Sequence, residues 1–76
     1  MSPRLPAIRP HEVVRALERD GWVQVRQVGS HLKLRKTGHP AVIVPMHNRD
    51  VRPGTLRSIL EDADLTVERF LELLRG

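Results

Sequence analysis

His31, Lys33 and Arg35 recur at every second position, so in an extended strand their side chains share one face. An imidazole moves protons near neutral pH. Ammonium and guanidinium groups bind and stabilise anionic oxygen. No carboxylate interrupts the three residues. The set suits a polyanion, and the sharper reading is RNA cleavage with His31 as the proton-transfer group. The plainer reading is a solvated strand face that only carries charge. Gly29 and Ser30, directly before His31, serve geometry. Glycine reaches positive φ, and a serine hydroxyl bonds nearby backbone or phosphate.

Other residues extend this constellation. Arg26, Lys33 and Arg35 fit phosphate contacts better than they fit bases. Arg49, Arg52 and Arg57 continue a basic track toward a second helix, whose first turn offers free backbone donors. One histidine does not readily serve as both base and acid in a single step. His47, in a polar connector after the third strand, is therefore a second catalytic candidate; water or another side chain is the alternative. His31, His39 and His47 are evenly spaced, but His39 falls in a turn and no Asp/Glu cluster resembles a two-metal nuclease. Neither a metal nor another cofactor is expected. Trp22 and Phe70 are the only aromatic residues besides histidine, too few for a base-stacking platform. Backbone and ribose contacts, read by shape, fit better.

The whole chain has 76 residues, enough for one domain with one modest core. Residues 1–57 hold 11 Lys/Arg against 4 Asp/Glu, a net of +7, and residues 58–76 hold 2 against 5, a net of −3. The positive part contains every candidate site residue, and its field would draw a phosphate backbone. There is no cysteine, which excludes disulfides, thiolate catalysis and cysteine-type zinc sites. No stretch resembles a signal peptide or approaches the ~20 apolar residues of a membrane span. A cytoplasmic protein without membrane partners is the expectation.

The elements that must position these groups are short. Residues 1–9 read as an extended lead-in, and Pro10 suits the first turn of a helix over His11–Asp20. Val13, Val14 and Leu17 form its apolar stripe, and Gly21 stops it. Strands follow at Trp22–Val28, His31–Arg35 and Ala41–Met46. In the first, Val23 and Val25 take one face and Gln24 and Arg26 the other, so Gln24, Arg26, His31, Lys33 and Arg35 can line one wet face. The third is nearly all apolar and reads as the central or best-buried strand, with Pro45 marking its end. A second helix starts near Thr55 with Leu56, Ile59, Leu60 and Ala63 inward. After a break at Asp64-Leu65, Thr66 caps a third helix carrying Val67, Phe70, Leu71 and Leu74. The result is an α+β chain, α-β-β-β-α(-α), with a three-stranded antiparallel sheet and helices on one face.

Several motifs in this order are Asp20-Gly21-Trp22, Gly29-Ser30-His31, Val44-Pro45-Met46-His47 and Gly54-Thr55-Leu56-Arg57-Ser58-Ile59-Leu60. The last is Phe70-Leu71-Glu72-Leu73-Leu74. Together they make the chain resemble the HicA toxin family, also called YcfA-like, from the first helix through Leu74. The resemblance implies a double-stranded-RNA-binding-like fold. It also implies a toxin that cleaves mRNA and is neutralised by a HicB-like antitoxin. The family's catalytic histidine matches His31. Where many relatives carry a polar or aromatic residue directly after that histidine, this chain has Leu32.

Metal-free cleavage would begin with a base taking the proton of a 2′-OH as that oxygen attacks the adjacent phosphate. The competing reading is a non-catalytic RNA-binding module using the same face. A third is a partner in a protein complex whose acidic surface covers the basic one.

Overall fold

The computed structural model describes residues 5–76. Of the expected lead-in, residues 1–4 lie outside the described residues, and residues 5–9 run without regular secondary structure into the first helix. Pro10 opens α1 (Pro10–Arg19) at its first helical position, where a missing N–H costs nothing. The Glu12 carboxylate accepts the Arg9 backbone N–H at 3.3 Å. Val13, Val14, Ala16 and Leu17 form the buried stripe. The helix closes when the Trp22 N–H bonds the Leu17 carbonyl (3.1 Å) and the Gly21 N–H bonds that of Glu18 (3.0 Å). This paired closure needs a left-handed residue after the cap, and Gly21 supplies it at φ +95°.

Strands β1 (Val23–Val28), β2 (His31–Arg35) and β3 (Val42–Pro45) form an antiparallel sheet in the order β1-β2-β3. The central strand is therefore β2, and β3 is an edge. The apolar run of β3 has a different cause from a central position. Val42 and Val44 are fully buried on the side where α1 and α2 pack, whereas Ile43 faces outward and is 44% exposed. Pro45 ends the strand on an edge, as its missing donor requires.

Helix α2 (Pro53–Asp62) starts two residues before Thr55, because Pro53 takes the first helical position as Pro10 does in α1. Leu56, Ile59, Leu60 and Ala63 are buried, as their spacing predicts. The helix closes like α1, with Leu65 N–H to Leu60 O at 2.9 Å and Asp64 N–H to Glu61 O at 3.1 Å. Here Asp64 is the left-handed residue, at φ +57°. Thr66 then caps α3 (Val67–Arg75), its hydroxyl accepting the Arg69 N–H at 3.1 Å. The deep residues of α3 are Phe70 and Leu73, with Val67 and Leu74 partly buried. Leu73 thus takes the inward place expected of Leu71, while Leu74 packs against the core as expected. The Arg19 guanidinium holds the end of α3 against α1, donating to the carbonyls of Leu73 (2.7 Å) and Leu74 (3.3 Å), a favourable charge for a helix C-terminus.

One apolar cluster joins α1, the inner sheet face and the two later helices, and no polar or charged side chain is buried among the described residues. Trp22 is in it at 2% exposure, as its place at the helix–strand junction predicts. Leu32 and Leu34 point inward from β2, each contributing about 1.5–3 kcal/mol if fully buried. Their alternation turns His31, Lys33 and Arg35 to the uncovered face.

Candidate functional site

Val28 pairs with His31 across the two-residue turn Gly29-Ser30. Gly29 sits at φ +58° and Ser30 is not left-handed, the pattern of a tight hairpin turn with glycine first. A Cβ at Gly29 would meet nothing within 4 Å, so the glycine is needed for its backbone angle and not for space. The turn delivers His31 to the first position of the central strand, where its side chain is exposed.

Register decides which neighbours share that face. His31 pairs with Val28 and Pro45, and Lys33 with Arg26 and Ile43. A bulge between Gln24 and Arg26 adds one residue to β1. It reverses the alternation expected for this strand. Gln24 consequently pairs with Leu34 on the helix side, and its amide donates to Glu18 of α1 at 3.3 Å. Gln24 is thus not part of the wet face. Val23, paired with Arg35, and Val28 occupy that face instead, each 61% exposed.

The open face therefore mixes cations with aliphatic groups. A shallow hollow of about 280 Å³ is lined by Arg26, Val28, His31, Lys33 and Ile43. The three strands contain no Asp or Glu. The ion pairs among the described residues are Lys36–Asp20 (3.2 Å) and Arg69–Glu72 (3.7 Å). Neither involves Arg26, Lys33 or Arg35, whose charges stay available to an anion. Alternation in the sequence indicates His31, Lys33, Arg35 and Arg26; it does not single out Val28 and Ile43, which only the register brings beside His31.

Ser30 is half-buried, and its carbonyl accepts the Met46 N–H. That bond makes Ser30–Met46 the hydrogen-bonded position of the β2–β3 ladder, and His31–Pro45 the non-hydrogen-bonded one. Side chains approach most closely at such pairs, where Cα atoms lie about 4.5 Å apart. Pro45 also lines a second hollow, a cleft of about 250 Å³ beyond the end of β3. His47, Arg49 and Arg52 border it. The two histidine candidates thus border separate hollows, and Pro45, the cross-strand neighbour of His31, lines the one that holds His47.

Arg57 lies elsewhere, lining a groove with Leu60, Glu61, Leu65 and Val67 at the α2–α3 junction. His39 packs its ring against Trp22, centroids 5.7 Å apart, past the opposite end of β2 from His31. Among the described residues no group of three His, Cys, Asp or Glu side chains could hold a metal ion. No helix among them is long and apolar enough to cross a membrane.

An exposed imidazole, three cations outside any ion pair and adjacent aliphatic groups form a surface able to hold a phosphodiester and move a proton at it. A comparison with curated proteins gave no match. The family model described as HicA toxin of bacterial toxin-antitoxin matches residues 10–65. The match takes in α1, the whole sheet, both hollows and α2; the Phe70–Leu74 motif of α3 lies beyond it. Covering well over half of the chain, and with the topology and His31-bearing hairpin in place, that match makes this protein a member of the HicA toxin family.

Proposed function

We propose that the chain acts as one domain over residues 1–76 and is an endoribonuclease that cleaves mRNA without a metal ion, with His31 as general base or acid. The reading rests on one observation above others. His31 is exposed in a carboxylate-free hollow beside Arg26 and Lys33, within the stretch matched by a toxin family.

The neutral His31 ring accepts the 2′-OH proton as the 2′ oxygen attacks the neighbouring phosphorus. The bond from phosphorus to the 5′ oxygen breaks. The products are a 2′,3′-cyclic phosphate and a 5′-OH, and the leaving oxygen must gain a proton. His47, two residues beyond Pro45 and lining the same cleft, is a candidate donor, as is water. Arg26 and Lys33 stabilise the charge that accumulates on the phosphoryl oxygens. Arg35, Ser30, Arg49 and Arg52 extend contact along the backbone, with Arg57 as an outlying member.

A HicB-like antitoxin that presents carboxylates to this face would inhibit by covering His31. The exposed aliphatic side chains of Val28 and Ile43 suit burial in such a complex. A cytoplasmic site of action follows from mRNA as substrate.

The test is incubation of RNA with the native chain and with His31→Ala, followed by determination of product ends. Cyclic phosphate ends from the native chain, and a folded variant slowed by at least 100-fold, are expected. Salt-sensitive RNA binding with no His31-dependent cuts would favour the non-catalytic binding module.

A further inference from the structure

The cleft beyond β3 combines the proposed backbone contacts of Arg49 and Arg52 with features that backbone binding does not use. Pro10, Pro45 and Val51 give it apolar walls, while Arg49 and Arg52 bring guanidinium groups and Asp50 a carboxylate. Asp50 is the only acidic residue lining the cleft, and among the described residues it makes neither an ion pair nor a side-chain hydrogen bond. A carboxylate there weakens attraction for a phosphate. It suits a ligand that offers hydrogen-bond donors as well as acceptors.

The cleft is also held in shape. The Val51 N–H bonds the Ile8 carbonyl at 2.7 Å, and Arg9 donates to the Asn48 side-chain oxygen at 2.9 Å. The Met46 N–H is tied to Ser30. The connector is thus fixed to the lead-in and to the His31 hairpin, which lowers the ordering cost of binding. At about 250 Å³ the space falls below the roughly 300–1,000 Å³ of pockets for drug-sized ligands. A single planar ring system is the fitting occupant. His47 is two residues past Pro45, so its Cα lies at most about 7 Å from that of His31's cross-strand neighbour.

We propose that this cleft is a base-reading subsite for a nucleotide flanking the scissile phosphate, and that it selects guanine. The proposal rests on the endoribonuclease reading for the position of the cut. Guanine presents O6 and N7 as acceptors to an arginine and its 2-amino group as a donor. Its neighbouring N1–H lets a carboxylate accept two bonds from one edge. Adenine and cytosine place a ring acceptor beside the amino group, which repels Asp50. Uracil flanks its one ring N–H with carbonyl oxygens, which repel it likewise. The aliphatic walls cover the faces of the ring.

The experiment has two arms. In the first, a random-sequence RNA is cut by the native chain and by Asp50→Ala, and the bases on both sides of each cut are counted. Guanine enriched at least tenfold at one flanking position, and lost in Asp50→Ala, is expected. In the second, short 2′-O-methyl oligonucleotides, which cannot be cut through a 2′-OH, are titrated onto both proteins, each with a single guanine or adenine. The native chain is expected to bind the guanine oligonucleotide about tenfold tighter, and Asp50→Ala to bind both alike. Cleavage without base preference, or a guanine preference that survives Asp50→Ala, overturns the subsite and leaves the nuclease standing. Absence of cleavage with Asp50-dependent guanine binding overturns the nuclease and leaves the subsite standing. Equal binding of both oligonucleotides by the native chain overturns the subsite whatever the cleavage result. Circular dichroism of Asp50→Ala checks that the variant is folded.

Discussion

His31 and Pro45 face each other across β2 and β3 at a non-hydrogen-bonded position of the ladder. The pyrrolidine ring therefore stands beside the imidazole, and Pro45 has its backbone nitrogen turned away from β2. The missing donor costs no ladder bond there. What the proline adds is a stiff neighbour for the proposed catalytic ring.

Pro45→Ala separates that contact from folding. It is expected to lower stability by about 0.4–1 kcal/mol through greater freedom of the unfolded chain. If Pro45 positions His31, kcat falls several-fold while KM changes little. Thermal melts and cleavage kinetics check both parts, and an unchanged kcat would show that His31 is held by other neighbours.

Salt dependence reports the phosphate contacts. Lys33→Ala and Arg26→Ala should each reduce the slope of log affinity against log salt by about 0.7–1, the expectation for one lost contact to a single strand. Arg57→Ala should change it least, because Arg57 borders the α2–α3 groove. Binding of a labelled RNA across a salt series measures all three.

The aliphatic groups of the open face offer a different comparison. Ile43→Ser replaces a side chain that is already 44% exposed, so stability should stay within about 0.5 kcal/mol of native. Affinity for a HicB-like antitoxin should fall by about 1 kcal/mol or more if Ile43 is buried in that complex. Calorimetry of the complex, set beside a melt of the free variant, tests this.

Asp64 gives a prediction confined to folding. It adopts φ +57° to close α2, a conformation costing non-glycine residues roughly 1–2 kcal/mol, less for Asp and Asn. Asp64→Gly relieves that strain and should stabilise by up to about 1 kcal/mol, raising Tm by about 4–8 °C in a domain of this size. A lower Tm would mean that the aspartate side chain contributes more than its backbone angle costs.

Local chemistry made much of this fold readable. Pro10, Gly21 and Thr66 each act on their own backbone, and each bounds a helix as expected. The period-two set His31, Lys33 and Arg35 faces away from buried Leu32 and Leu34 because alternation is a property of one strand. Strand order is not such a property. The apolar run at Val42–Val44 could not reveal that Ile43 faces outward on an edge strand. A one-residue bulge leaves no mark in composition, so alternation alone puts Gln24 on the wrong face. The cleft depends on Ile8 meeting Val51, a contact between distant segments that neither segment's pattern announces. Asp50 and Pro45 therefore read as connector and strand end until the chain is folded.

The extra residue in β1 also bears on how the protein behaves in company. An outer strand with three outward valines is a template on which foreign chains can lengthen a sheet. Crowding two residues opposite one twists that strand and interrupts its row of free amides. The same kink that sends Gln24 to the helices thus works against fibre-like stacking of copies. That edge is a poorer template for a second copy of this chain than a flat, unbulged strand of the same length.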